Sequence, residues 1–441
     1  MRRASLLLLL LAACGSDQSL EYDLEPILLA RAPIVPGGEA LGGLLANVTT
    51  LDGIQPIIVD SAYPINSLSR STCVGGGTPG WTYTGDVDLR AWSTAAPVRA
   101  FFHNVGLFDL CPGTTGDAAT QPAGVMGGPL LANFAVGLVF PRSASESATM
   151  TLWPSFPGSD EQLARDGLVP LHFVLRGSAR VAQGNDEPSV TLPNSRIVLA
   201  TCAAPRSFST TEPQETCASG EVAIKASGQN LLLAVGTGEG PLILSQSAWE
   251  SIAAQTGMAS DAGTSGDLYT PFSTTPTPAR FLTLPRLAVL QGTIDNSWTG
   301  ACAELARARR IEWVLANQDS GACFQPCDVS NGKAITTRPY LELGDSLSLA
   351  VVSVTSDLIQ SLNVDTGTNP QVDGIIGAGV LAGTRLEIDY PSQDESRFIA
   401  ACENDSTRDT CWAAPSCPGL SADGKKICFG QPVPKWAAVC P

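Results

Sequence analysis

Gly124-Val-Met-Gly-Gly-Pro-Leu-Leu-Ala-Asn-Phe-Ala-Val-Gly-Leu-Val-Phe-Pro141 can be set against Gly374-Ile-Ile-Gly-Ala-Gly-Val-Leu-Ala-Gly-Thr-Arg-Leu-Glu-Ile-Asp-Tyr-Pro391 without a gap. Each has a glycine, two apolar residues, a second glycine, a Leu-Ala pair, alternating apolar positions and a closing proline. An earlier pair of segments matches in the same way. Ile57-Ile-Val-Asp-Ser-Ala-Tyr-Pro-Ile-Asn-Ser-Leu68 aligns with Leu233-Ala-Val-Gly-Thr-Gly-Glu-Gly-Pro-Leu-Ile-Leu244. In both, an apolar strand meets a tight turn of small residues and then returns to apolar positions. The two pairs occur in the same order, so the chain reads as a duplication. Short apolar runs broken by 43 glycines and 32 prolines predict strands and turns more than long helices. The expected fold is all-β, mainly antiparallel, with a few short helices and a duplicated organisation.

Outward from these motifs, the first lobe is expected over 46–205 and the second over 206–402. The second lobe has the longer interval between its motifs, and an insert at about 295–335 holds Cys302, Cys323 and Cys327. Two short helices are expected, over Ser247–Gln255 with serine as cap and over Cys302–Trp313. Residues 14–45 read as a tether leading into a first edge strand. The cysteine-rich tail 403–441 is too short for a core of its own and reads as disulfide-stapled.

The first residues give an address. Arg2 and Arg3 precede a leucine run too short to span a bilayer, and Leu11-Ala-Ala-Cys14 follows. This resembles the lipobox of bacterial lipoproteins, which implies a signal peptide over 1–13 and lipidation of Cys14. Several acyl chains, at about 0.8 kcal/mol per buried methylene, make a durable anchor. The expected location is the cell envelope, outside the cytoplasm, on a bacterial membrane. Of 13 cysteines, all but Cys14 form an even set, which suits disulfides in an oxidising compartment. Proximity suggests Cys73 with Cys111, Cys202 with Cys217, and Cys411 with Cys417. Cys323 and Cys327 read the same way; with only two histidines, His103 and His172, no metal site and no cofactor is expected. A net charge of −16 excludes binding to nucleic-acid backbones. A monomer is expected.

The repeated order of an apolar-apolar-Asp-Ser/Thr turn followed by a Gly-bearing aliphatic strand resembles the pepsin- and retropepsin-like aspartic peptidases. Asp373–Leu381 and Arg385–Tyr390 look very like that family's second-motif region. The resemblance implies a bilobal fold, two duplicated β lobes with a cleft between, and one catalytic aspartate from a tight turn in each lobe, the two sharing one proton because like charges so close cannot both ionise. Asp60-Ser61-Ala62 fits the first turn, with alanine where the family prefers glycine. Gly236-Thr237-Gly238 fits the second, but glycine stands where the second aspartate should be. General acid–base groups contribute about 10²–10⁴-fold, so this mechanism without a second carboxylate should be nearly abolished. Asp365-Thr366-Gly367 reads as a decoy that lacks the apolar return strand. Trp81 and Tyr83 are flap candidates by position.

No Gly-Lys-Ser/Thr follows the glycines after Val235, and no Gly-x-Ser-x-Gly elbow occurs. His103 and His172 sit in apolar strands and read as core residues. The favoured reading is a catalytically degenerate peptidase whose cleft binds extended peptide as an added strand. Two alternatives stay open: an active endopeptidase pairing Asp60 with a non-standard second carboxylate, and a structural or adhesive envelope scaffold.

Overall fold

The computed structural model describes residues 27–31, 43–50, 53–68, 81–87, 98–104, 124–132, 134–140, 147–153, 169–171, 174–176, 179–181, 190–192, 195–204, 215–218, 221–224, 228–256, 258–270, 276–290, 300–303, 305, 340–363, 370–390, 399–403, 419–420 and 426–427. These are mostly strands, with short helices at Gly128–Leu131, Gln246–Thr256 and Asp357–Asn363. The protein is all-β and mainly antiparallel, as its broken apolar runs predict.

The duplication is carried by the strand pairings. In the first half, Gly53–Asp60 pairs antiparallel with Leu44–Thr50 and parallel with Gly124–Gly127. Gly124–Gly127 also takes Asn66–Leu68 antiparallel, and that strand runs parallel to Val98–Asn104. In the second half, Gln229–Val235 pairs antiparallel with Arg196–Ala204 and parallel with Gly374–Ile376. Gly374–Ile376 takes Leu242–Ser245 antiparallel, and that strand runs parallel to Tyr340–Val352. The same mixed pattern thus forms twice around the two Gly-bearing segments. Their glycines allow close backbone approach. A Cβ on Gly127 would stand 2.1 Å from the Ile65 carbonyl oxygen, and one on Gly377 would stand 2.2 Å from that of Pro241.

The two copies also pair with each other. Ala135–Val139 lies antiparallel to Thr384–Asp389, with Gly137 opposite Glu387. Those two positions are equivalent in the gapless alignment, so a pseudo-twofold axis passes through that pair. One apolar core runs through both halves, joining Leu29, Ile57, Met126 and Val136 to Leu233, Trp249, Leu349 and Ile388.

Several expectations change. Ile27–Arg31, expected within a tether, pairs with both Ala148–Trp153 and Leu44–Thr50, and Leu29 is fully buried. Its apolar residues make it an internal strand. Arg196–Ala204, expected inside the first lobe, belongs to the second sheet through its pairing with Gln229–Val235. The helix expected over Ser247–Gln255 is present as Gln246–Thr256, and its cap is Ser245, whose Oγ accepts from Ala248 N at 3.3 Å. Cys202 bonds to Cys302 and not to Cys217. Cys217 lies on a separate two-stranded ribbon, whereas Cys302 is buried in one apolar cluster with Cys202, Leu290 and Tyr340. The Cys302 backbone N–H is held by Asn230 Oδ1 at 2.7 Å. Of the helix expected over Cys302–Trp313, only 302, 303 and 305 are described. Cys14, Cys73, Cys111, Cys323, Cys327, Cys411, Cys417, His172 and Asp365–Gly367 lie outside the described residues, as does most of the tail.

Candidate active site

The leading strands Gly53–Asp60 and Gln229–Val235 run out at neighbouring turns, Asp60-Ser61-Ala62 and Gly236-Thr237-Gly238. Each turn holds the other through its hydroxyl. Thr237 Oγ1 donates to the Val59 carbonyl at 2.6 Å and accepts from Ser61 N–H at 3.2 Å. Ser61 Oγ donates to the Val235 carbonyl at 2.6 Å. Val59 and Val235 are equivalent in the repeat, so the grip is reciprocal. Ser61 and Thr237 are fully buried, where an unpaired polar group would be costly. Strand Leu44–Thr50 adds a further tie, Leu44 N–H to the Thr237 carbonyl at 2.8 Å.

Asp60 is fully buried, and its Oδ1 accepts from Ala62 N–H at 2.9 Å. Position 236 has no side chain, yet the space beside it is filled. A Cβ built on Gly236 would lie 2.3 Å from Glu239 Oε2, 2.5 Å from Ile375 Cγ2 and 3.4 Å from the Ala62 methyl carbon. Glu239, three residues downstream, is fully buried, and its carboxyl lies beside that of Asp60, close enough for each to bear on the other's ionisation. A second carboxyl, from position 239, therefore stands beside Asp60. Gly238 is required by contact and not by conformation: a Cβ there would stand 2.7 Å from Asp60 Cβ and 2.9 Å from Oδ2. Ala62, the other departure from the expected pattern, is free of strain, because the one non-glycine residue with positive φ among the described residues is Ser346.

Burial and the neighbouring charge make the pair asymmetric. Burial pushes Asp60 up to about 6, held back by the N–H groups of Ala62 and Gly238 and by the Arg196 guanidinium. Burial, then the Asp60 charge, push Glu239 well above the usual carboxylate range. Asp60 Oδ2 and both Glu239 oxygens receive no donor at ordinary hydrogen-bond geometry. One proton shared between the carboxyls, held mainly by Glu239, pairs Asp60 Oδ2 with one Glu239 oxygen and leaves the second Glu239 oxygen without a donor. Tyr390 is buried nearby, and its hydroxyl is pushed up by desolvation and the Asp60 charge.

With this geometry in view, two solved structures are similar in fold. An aspartic proteinase from Irpex lacteus is 12% identical, with a TM-score of 0.37, over 88% of this chain and 99% of that one. Basic 7S globulin from soybean is 11% identical, with a TM-score of 0.38, over 89% of this chain and 98% of that one. No protein family matches the chain, and no curated protein does either.

Asp60, Ser61, Ala62, Gly236, Thr237 and Gly238 thus converge. Trp81 and Tyr83 lie on Trp81–Val87, which pairs with Val98–Asn104 at the far end of the first sheet from Ala148–Trp153. His103 is on that second strand, opposite Thr82. Sequence reasoning passed over Glu239 and Arg196. Glu239 carried a signal, an acidic residue between two glycines in a turn equivalent to the Asp60 turn. An open depression of about 830 Å³ on the second half, lined by Gln246, Glu250, Asp267 and Arg280, includes neither carboxyl.

Proposed function

We propose that this chain is an aspartic-type endopeptidase whose acid–base couple is Asp60 and Glu239. The observation that carries the reading is the pair of fully buried carboxyls side by side between two reciprocally gripped turns. Asp60, supplied with N–H donors, is the base that takes a proton from the attacking water. Glu239, which holds the proton, donates it to the scissile carbonyl oxygen. An extended peptide added as a strand is the fitting substrate. Anchoring through Cys14 outside the cytoplasm belongs to the same proposal, and the Cys202–Cys302 bridge suits an oxidising compartment.

The test is cleavage of a denatured protein by the full chain extracted in detergent. Glu239→Gln and Asp60→Asn should each lower the rate by about 10²–10⁴-fold. Gly236→Asp should be inactive, because its new Cβ meets the Glu239 carboxyl. A folded wild type that cleaves nothing on either side of about pH 6, where Asp60 ionises, would overturn the reading.

Complete burial of both carboxyls favours a second reading, lobes that bind peptide or serve as an envelope scaffold without cleavage. Saturable binding of a statine-type mimic without turnover would support the binding form. Neither binding nor turnover would leave the scaffold.

A further inference from the structure

Arg196 is one of the largest fully buried side chains in the molecule, 1% exposed, at the start of a strand of the second sheet. Its side chain reaches the first-lobe turn. Nε donates to the Ala62 carbonyl at 2.9 Å, and Nη1 donates to the Leu362 carbonyl of helix Asp357–Asn363 at 3.0 Å. Ala62 is the residue whose N–H holds Asp60 Oδ1, so the guanidinium and the carboxylate grip the two ends of one residue. The carboxyls in the field of this cation are Asp60 and Glu239. A buried cation beside two carboxyls sharing one proton leaves the cluster neutral; without the cation, one negative charge would stand alone in a desolvated site.

We propose that Arg196 is a positioning residue that clamps the Asp60 turn to the helix ending near Leu362 and keeps the Asp60–Glu239 pair singly ionised inside the protein. The proposal rests on reading that pair as the acid–base couple. The titratable groups that bear on the pair are Arg196, Tyr390 and the two carboxyls themselves. Asp373, also pushed up to about 6 by burial, is bonded to Leu232 N–H and needs its own control.

Arg196→Met removes the charge and keeps bulk; Arg196→Lys keeps the charge but loses the planar fork. In the full chain, Arg196→Met should move the acid limb of kcat/KM upward by about one pH unit, a tenfold loss on that limb. Arg196→Lys should leave the limb in place and lower kcat through a looser turn. The same shift should appear in carboxyl titration followed by infrared absorption, with Glu239→Gln and Asp373→Asn identifying the bands. That readout needs no turnover, so it separates failure of this proposal from failure of the peptidase reading. A uniform loss at all pH values with unmoved carboxyl bands would overturn it, as would a Lys variant shifted as far as Met. If Arg196→Met does not fold, Asp60→Asn with Arg196→Met should, because charge and counter-charge leave together. Failure of that double variant to fold would make Arg196 a strut and overturn the proposal.

Discussion

Gly236, Gly238, Ala62 and Glu239 form one steric unit, and a change at any of them is felt by the pair. Gly238→Ala would place a Cβ 2.9 Å from Asp60 Oδ2, so Asp60 must move. We expect kcat to fall at least tenfold, on the scale of a displaced acid–base group, with folding retained, as measured by cleavage and circular dichroism. Ala62→Gly, by contrast, should be tolerated, since the Ala62 N–H is what Asp60 uses. The pair also dictates a pH window. Asp60 ionises at about 6 and Glu239 well above its usual range, so the one-proton form exists between those two values. Activity should rise as pH increases through about 6 and fall as Glu239 loses its proton. An optimum below pH 4, about the ordinary carboxylate value, would contradict this assignment.

Strands and turns set the next scale. The grip between the turns joins the two leading strands, and Thr237 makes two of its hydrogen bonds. Thr237→Val keeps the shape and leaves the Val59 carbonyl and Ser61 N–H without that partner in a buried site. We expect a loss of about 1–3 kcal/mol per orphaned group, read by urea unfolding. Asp373, just ahead of the bracing strand Gly374–Ile376, holds the leading strand through Leu232 N–H at 2.9 Å. Burial raises it from 3.8 to about 6, so its protonated form favours the fold. Its contribution is fully present below about 4 and lost as pH rises through about 6. Asp373→Asn should flatten part of that slope in stability measured across the interval; Asp60 supplies a slope of the same sign. The duplicated turns and bracing strands were legible in the sequence because both β patterning and glycine spacing are local. The helix cap was two residues from its expected place, since a run of serines on either side of Gln246 offers the same cap chemistry.

At the scale of the whole molecule, the two halves share one core and a central sheet in which equivalent strands pair about a pseudo-axis. The Cys202–Cys302 bridge closes a span of 100 residues across the second half. Removing it by Cys302→Ala should cost about 2–5 kcal/mol, checked by denaturant unfolding with and without reductant on the wild type. Sequence proximity chose Cys217 for this bond. The fold chose Cys302, because the apolar cluster of Leu290, Ala301 and Tyr340 draws that segment onto the strand carrying Cys202.

Sequence alone determined the duplication, the all-β class, the two turns and the first carboxylate, all of them consequences of periodicity and small-residue spacing along the chain. It also left position 236 empty, which by itself pointed to a lost second carboxyl. Only the tertiary structure placed the Glu239 carboxyl in that space and brought the Arg196 side chain to the Asp60 turn. A side chain's reach across a turn and a cation's approach from another sheet depend on distances between segments far apart in sequence. No local pattern encodes those distances; the packing of the two halves does.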